Sequence, residues 1–290
     1  MKIAVFGAGT MGSGIAELFA AHGHVTLMYA SSIASAQRHK EALAASLSRR
    51  VERGKLTEDK RRSILELIHV EEKEAAADAD LIIETIKEDI AAKRALLTEL
   101  DDMCKAETVF ASNTSALSIT ELGMGLKHPL IGMHFFFPVH AMKLLEVVRG
   151  ADTPQAAFNL IKGLAQDLEK EMVEVTEAPG FIVNKLIDPL INEAIGLVET
   201  GVATVEDIDR AMRFGLNHPI GPLQLADSAG LDVILSIMET LYAETGDPRY
   251  RPAPLLRKRS VPGIWAERPA RGFTITAIDS PTDCDSADDP

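Results

Sequence analysis

Residues 2–12 read KIAVFGAGTMG, in which an apolar strand run passes directly into a turn with the spacing Gly-x-Gly-x-x-Gly. This spacing between a strand and a helix is typical of a turn that binds a dinucleotide. The first glycine makes the tight turn, the second lets the backbone approach a pyrophosphate, and the third lets the helix pack against the strand. The helix N-terminus also offers unpaired N–H groups and the positive end of its dipole to an anion. We predict that the cofactor-binding residues of this turn are Gly7, Gly9, Thr10, Met11 and Gly12. The alternative is a βα turn that binds nothing.

The segment after the second predicted strand bears on which dinucleotide is bound. Residues 25–29 (VTLMY) form that strand, and the pattern places after it an acidic residue that accepts a hydrogen bond from the adenosine ribose 2′-hydroxyl. The chain has Ala30-Ser31-Ser32 there instead. Arg38 and Lys40 follow and could accommodate a 2′-phosphate, although we interpret them as solvated helix positions. The choice between NAD and NADP is therefore open on these residues alone.

The composition is that of an ordinary globular chain with an excess of acidic residues. Of its 290 residues, 46% are hydrophobic and 25% are charged, and the formal net charge is −13. The length accommodates a dinucleotide domain and a second, smaller domain. An acidic chain without a basic stripe argues against a nucleic-acid partner. The densest basic segment lies in residues 49–62. It is either a solvated helix face or a surface that binds the phosphates of an anionic ligand carrier.

The cysteines and the apolar runs indicate a compartment. Cys104 and Cys284 lie far apart, with neither metal-ligand spacing nor a disulfide framework, which is typical of a reducing compartment. The N-terminus has one basic residue before a strand and does not resemble a signal peptide, and no apolar run reaches the roughly 18 residues of a membrane span. We expect a soluble cytoplasmic protein that binds no metal and no membrane.

Polar residues follow two buried strand runs. Residues 81–84 (LIIE) lead to Glu88, and residues 108–111 (TVFA) lead to the turn Ser112-Asn113-Thr114-Ser115. In a doubly wound parallel sheet, ligands bind beyond the carboxyl ends of the strands. We therefore predict an α/β fold with a Rossmann-type doubly wound sheet, in which Glu88 and this turn lie at the same edge as the glycines.

A histidine and a glutamate are placed to face each other across a hairpin. His134 lies in one strand run and Glu146 in the next, at equal distances from a hairpin centred on residue 140, so the two residues pair and share a face. A carboxylate fixes the tautomer of the imidazole and stabilises the imidazolium, as a general base requires. The alternative is a cross-strand pair of structural value only.

The pattern changes from alternating strands and helices to helices alone after Pro179-Gly180. Helical segments are predicted at about 181–199, 204–214 and 222–243. We predict a dinucleotide-binding domain over 1–177, an all-helical substrate and dimerisation domain over 178–258, and an atypical tail of disordered composition over 259–290. The first helix of the second domain has an apolar face broader than one buried stripe needs, which favours a homodimer.

Six motifs together resemble one enzyme family. They are Gly7 to Gly12, Ser112-Asn113-Thr114-Ser115, Gly132-Met133-His134-Phe135-Phe136, residues 142–148 (MKLLEVV), residues 179–184 (PGFIVN) and Gly221-Pro222. Over residues 5–258 the chain resembles the short-chain L-3-hydroxyacyl-CoA dehydrogenases, most closely the bacterial 3-hydroxybutyryl-CoA dehydrogenases of fatty acid and butanoate metabolism.

The resemblance implies roles for the matching residues. His134 is the general base that takes the 3-hydroxyl proton of an acyl-CoA substrate while hydride leaves C3 for NAD, and Glu146 orients that histidine. Ser115 and Asn184 hold the substrate oxygen, and Glu88 and Lys93 contact the nicotinamide side of the cofactor. The implied cofactor-binding residues outside the glycine turn are Glu88, Lys93, Asn113 and Ser115.

Two other functions stay open at this point. Related dehydrogenases of free hydroxy acids or sugar acids share the histidine and the glycine turn. The absent ribose acid, together with Phe137 where the family usually has asparagine, favours a nucleotide-binding homologue that has lost catalysis. Against that interpretation, Ser115, His134, Glu146 and Asn184 are all present.

Overall fold

The computed structural model describes residues 1–260 and divides the chain into two compact units, Met1–Phe181 and a second unit that begins at Ile182. This division falls beyond the predicted boundary after residue 177. All but the first two residues of the predicted tail, 259–290, lie outside the described residues.

An eight-stranded sheet forms the centre of the first unit. In chain order its strands are β1 (Lys2–Phe6), β2 (Val25–Tyr29), β3 (Ile68–His69), β4 (Leu81–Glu84), β5 (Val109–Ser112), β6 (Leu130–Phe135), β7 (Leu144–Arg149) and β8 (Glu171–Thr176). The order across the sheet is β3-β2-β1-β4-β5-β6-β7-β8, and every neighbouring pair is parallel except β6 and β7. The chain thus leaves β1 in one direction and returns to its other side with β4, which creates the crevice where such sheets bind ligands.

Helices follow most of these strands. They are α1 (Thr10–Ala21), α2 (Ile33–Glu52), α3 (Glu58–Leu67), α4 (Ile90–Asp101), α5 (Ile119–Gly123) and α6 (Gln155–Asp167). Strands β1 and β4 are buried along nearly their whole length because apolar clusters cover both faces of the sheet, one containing Ile3 and Phe19 and the other Phe6 and Leu97. The predicted Rossmann-type fold is confirmed. Strand β3 and helix α5 have no counterpart in the sequence prediction, because each is too short to show a hydrophobic period.

The second unit is helical throughout its described part, as predicted. Its helices are α7 (Val183–Glu199), α8 (Val205–Leu216), α9 (Pro222–Ala229), α10 (Leu231–Thr245) and α11 (Pro254–Ser260). The single helix predicted for 222–243 is wrong, since Gly230 adopts a φ of +97° and separates α9 from α10. No helix among residues 1–260 is both long enough and apolar enough to cross a membrane.

The Gly221-Pro222 motif begins α9. Asp209 of α8 accepts hydrogen bonds from the backbone N–H groups of Leu223 (2.8 Å) and Gln224 (3.0 Å), and so caps the helix from another element. A Cβ on Gly221 would lie 2.2 Å from Cγ of Asp209. The motif therefore serves helix packing, with glycine supplying the space and proline a preorganised first turn.

Candidate active site

The predicted glycine turn forms at the carboxyl end of β1. Gly7 has a φ of +113°, and a Cβ there would lie 2.5 Å from the Thr85 carbonyl oxygen. A Cβ on Gly12 would lie 1.7 Å from the carbonyl oxygen of Gly7, whereas a Cβ on Gly9 would meet nothing within 4 Å. Two glycines thus permit tight packing and the middle one presents open backbone at the start of α1. This geometry fits a dinucleotide pyrophosphate.

Thr85 locks this turn to the neighbouring strand, and the sequence did not reveal it. Its Oγ1 donates to the carbonyl oxygen of Gly7 at 2.6 Å, and its N–H donates to the carbonyl oxygen of Phe6 at 2.7 Å. A threonine directly after a buried strand run carries no recognisable sequence signal for this contact.

The end of β2 lacks an acidic side chain, as the sequence indicated. Ala30 follows the strand, and the Ser32 side chain accepts from the N–H of Ser35 to cap α2. Of the two basic residues downstream, Lys40 donates to the carbonyl oxygen of Ile68, while Arg38 is exposed. The Lys40 ammonium group is therefore hydrogen-bonded within the protein, contrary to its prediction as a solvated position.

His134 and Glu146 meet as the hairpin prediction required. Strands β6 and β7 pair antiparallel with His134 directly opposite Glu146, and Nδ1 of His134 lies 2.7 Å from Oε2 of Glu146. Both side chains are buried, and the rings of Phe136 and Phe181 lie 4.5 and 5.6 Å from the imidazole. With Glu146 accepting the Nδ1 proton, Nε2 is the nitrogen that can accept a proton from a substrate.

Glu88 organises the turn after β5. Its Oε1 accepts from Oγ1 of Thr114 and from the N–H groups of Ser115 (2.8 Å) and Ala116 (3.3 Å). Asn113 accepts from the N–H of Phe135 at 2.9 Å through Oδ1, so the turn is tied to the residue after His134. The hydrogen bonds of Glu88 and this turn thus reach the backbone next to His134 at the carboxyl edge of the sheet.

Lys93 lies beneath this network. Only 1% of its surface is exposed, and its ammonium lies 2.7 Å from Oε1 of Glu84 and 3.2 Å from Oε2 of Glu88. Glu84 is a site residue that the sequence analysis missed. The sequence feature that could have indicated it is the carboxylate at the end of the apolar run of β4. Burial raises the pKa of the Glu84 carboxyl, and the positive charge of Lys93 is the strongest influence that opposes the rise. The direct contact of Lys93 with a cofactor, implied by the resemblance, stays a prediction.

Asn184 lies in the second unit, in the first turn of α7. Its approach to the substrate, like the substrate contact of Ser115, stays a prediction. Among residues 1–260, no group of three or more histidine, cysteine, aspartate or glutamate side chains is arranged to hold a metal ion.

A glycine turn at the point where the sheet reverses its order, with a buried histidine–carboxylate pair at the same edge, defines a dinucleotide-dependent dehydrogenase of the Rossmann class. Comparison with known proteins refines this class. A family model described as 3-hydroxyacyl-CoA dehydrogenase, NAD binding domain, matches residues 2–178, and the model of the family's C-terminal domain matches residues 180–274.

Relatives match along nearly their whole length. The 3-hydroxybutyryl-CoA dehydrogenase of Clostridioides difficile is 44% identical over 89% of this chain and 93% of that protein. A probable 3-hydroxybutyryl-CoA dehydrogenase of Bacillus subtilis is 45% identical over 94% of this chain and 96% of its own. The crystal structure of (S)-3-hydroxybutyryl-CoA dehydrogenase from Ralstonia eutropha has a TM-score of 0.83 at 40% identity, over 89% of this chain and 92% of that one. This chain belongs to the 3-hydroxyacyl-CoA dehydrogenase family.

Proposed function

We propose that this protein transfers a hydride between C3 of a short-chain (S)-3-hydroxyacyl-CoA, with 3-hydroxybutyryl-CoA as the first candidate, and NAD. The observation that carries the proposal is the buried His134–Glu146 pair, 2.7 Å apart, at the sheet edge that also holds the glycine turn. The names of the relatives support the acyl-CoA substrate.

His134 performs the proton transfer in this proposal. Its Nε2 accepts the 3-hydroxyl proton during oxidation and returns it to the 3-oxo group during reduction. Glu146 holds the proton on Nδ1 and stabilises the positive charge that the imidazole acquires, beside the rings of Phe136 and Phe181. Ser115 and Asn184 are proposed to hydrogen-bond the substrate oxygen.

NAD, when bound, supplies the hydride acceptor. The open backbone at Gly9 and the N-terminus of α1 would hold its pyrophosphate, with Thr10 and Met11 beside it. Because no carboxylate follows β2, the family's preference for NAD comes to this chain through relatedness, and NADP is the second candidate.

A basic surface between α2 and α3 is proposed to bind the phosphates of CoA. Gly54, Lys55, Leu56, Thr57 and Lys60 line an open pocket of about 350 Å³ there. Two of these five residues are lysines, and α3 begins at this pocket, so positive charge lies close to the start of a helix. Nζ of Lys60 itself donates to the carbonyl oxygen of Ala21.

The reverse reaction tests the proposal directly. NADH oxidation is followed as absorbance loss with acetoacetyl-CoA, beside NADPH and beside free acetoacetate. We expect rapid turnover of NADH with the thioester alone. Turnover only with NADPH would show that the segment after β2 has changed the cofactor. Turnover with the free acid would favour a hydroxy-acid dehydrogenase, and NADH binding without turnover of either substrate would favour the inactive homologue.

We further propose a homodimer formed through the second unit. Leu186 of α7 is 71% exposed, and Phe214 and Leu216 of α8 are 78% and 65% exposed. Burying such side chains against a second copy removes apolar surface from water. Light scattering during gel filtration should give about twice the 31.4 kDa chain mass, and Leu186→Glu should shift the protein toward the monomer. A native monomer would contradict this proposal. Cytoplasmic location stays a prediction.

A further inference from the structure

Glu84 is a fully buried carboxylate near the proposed site, as is Glu146. It is 0% exposed, and its two oxygens accept from three donors: Ser112 Oγ at 2.5 Å on Oε2, and the Ile86 N–H at 2.6 Å and Lys93 Nζ at 2.7 Å on Oε1. A buried charge without such partners would be strongly unfavourable. The carboxylate is therefore held in one orientation.

The fixed carboxylate of Glu84 in turn fixes the position of the Lys93 ammonium group. An ammonium group has three N–H donors, and three acceptors surround Nζ: Glu84 Oε1 at 2.7 Å, the Ile86 carbonyl oxygen at 3.2 Å and Glu88 Oε2 at 3.2 Å. The shortest contact is to Glu84, and the side chain is 1% exposed. The position of Nζ is thus set mainly by Glu84, and Glu88 is its second ion-pair partner.

Glu88 then carries the constraint to the turn. One of its oxygens contacts Lys93, and the other accepts from the backbone of Ser115 and Ala116. Glu88 is itself partly exposed, at 29% of its side chain, so the fixed cation on its other oxygen adds to the turn's own hydrogen bonds in orienting it.

The structure assigns to Glu84 the role of a positioning residue, which acts through Lys93 to hold Glu88 against the turn that carries Ser115. The assignment rests on the proposed function, because Glu88 and Ser115 matter to catalysis only if this edge binds cofactor and substrate. Glu84 itself touches neither in this scheme.

Glu84→Gln tests the assignment with the smallest change in shape. The amide can still hydrogen-bond Ser112, but Lys93 loses its main counterion and must draw on Glu88, whose other oxygen holds Ser115. We expect kcat/KM for acetoacetyl-CoA to fall by about a hundredfold, the loss typical of a misplacement of about 1 Å, and the Kd for NADH, measured by fluorescence, to rise by about tenfold.

A double-mutant cycle separates positioning from general destabilisation. If Glu84 acts through Glu88, Glu84→Gln should cause almost no further loss of kcat/KM in a Glu88→Gln background, although it should still lower Tm. Equal losses in the native and Glu88→Gln backgrounds would overturn the assignment, as would native kinetics in Glu84→Gln.

Asp80→Asn is the matched control. Asp80 directly precedes β4 at the opposite edge of the sheet and is also paired with a lysine, Lys105, at 2.6 Å. Its replacement should lower Tm but leave kcat/KM and NADH affinity unchanged. Equal kinetic losses in both variants would reduce the role of Glu84 to stability alone.

Two further measurements cover the cases in which Glu84→Gln does not fold or the native protein does not turn over acetoacetyl-CoA. If Glu84→Gln does not fold, the Glu84→Gln/Lys93→Met double variant replaces the buried pair by neutral groups of similar volume, and the same kinetic losses are expected. If the native protein does not turn over acetoacetyl-CoA, the proposed function fails. NADH affinity across the same variants then still tests Glu84.

Discussion

Replacing His134 by alanine is expected to lower kcat by roughly a thousandfold, because the variant lacks the Nε2 atom that takes or returns the 3-hydroxyl proton. The Kd for NADH should change little, since the histidine serves the chemical step and the pyrophosphate is held by the glycine turn. Stopped-flow measurement of NADH oxidation with acetoacetyl-CoA gives the first quantity, and fluorescence titration gives the second.

His128→Ala is the matched control for this variant. His128 lies before the other end of β6 and forms the second buried histidine–carboxylate pair of the first unit, with Nδ1 2.6 Å from Oδ1 of Asp101. We expect it to lose stability but to keep kcat per folded molecule. A comparable loss of kcat in the two variants, or a parallel loss of NADH binding in His134→Ala, would contradict the role assigned to His134.

The second large effect is expected at Asp188, on stability. Asp188 lies in α7, is 4% exposed, and its Oδ2 has no hydrogen-bond partner within residues 1–260. Burial raises the pKa of this carboxyl from 3.8 to about 7. The folded protein therefore keeps a proton that the unfolded chain releases above about pH 4. Its contribution to stability is fully present below that pH and is lost as the pH rises to about 7.

Asp188→Asn removes this pH dependence. An amide of the same shape carries no charge, so the variant should match the native protein near pH 4. It should exceed the native protein by about 4 kcal/mol near pH 8, which is the free-energy equivalent of the rise in pKa from 3.8 to about 7. Urea unfolding at several pH values measures the difference. Glu193→Gln, an exposed carboxyl on the same helix, should show no such gain. A gain of equal size at every pH would show that the charge is not its cause.

How far the sequence predicts the site differs from residue to residue. The pairing of His134 with Glu146 could be predicted because side chains alternate along strands and a hairpin centre fixes the register. The glycine turn could be predicted because its spacing requires special backbone conformations. The break at Gly230 could not, since apolar residues on both sides continue a helical pattern and only the observed φ of +97° shows the interruption.

The sequence by itself determined the Rossmann-type sheet, the helical second unit and the central histidine–carboxylate pair, because each depends on local periodicity or on spacing within one hairpin. Only the tertiary structure revealed that Thr85 locks the glycine turn and that Glu84, Lys93 and Glu88 form a chain to the turn after β5. The physical reason is that these contacts join side chains from different strands and helices. Their distances depend on which strand ends lie side by side at the carboxyl edge of the sheet, and spacing along the chain does not determine that arrangement.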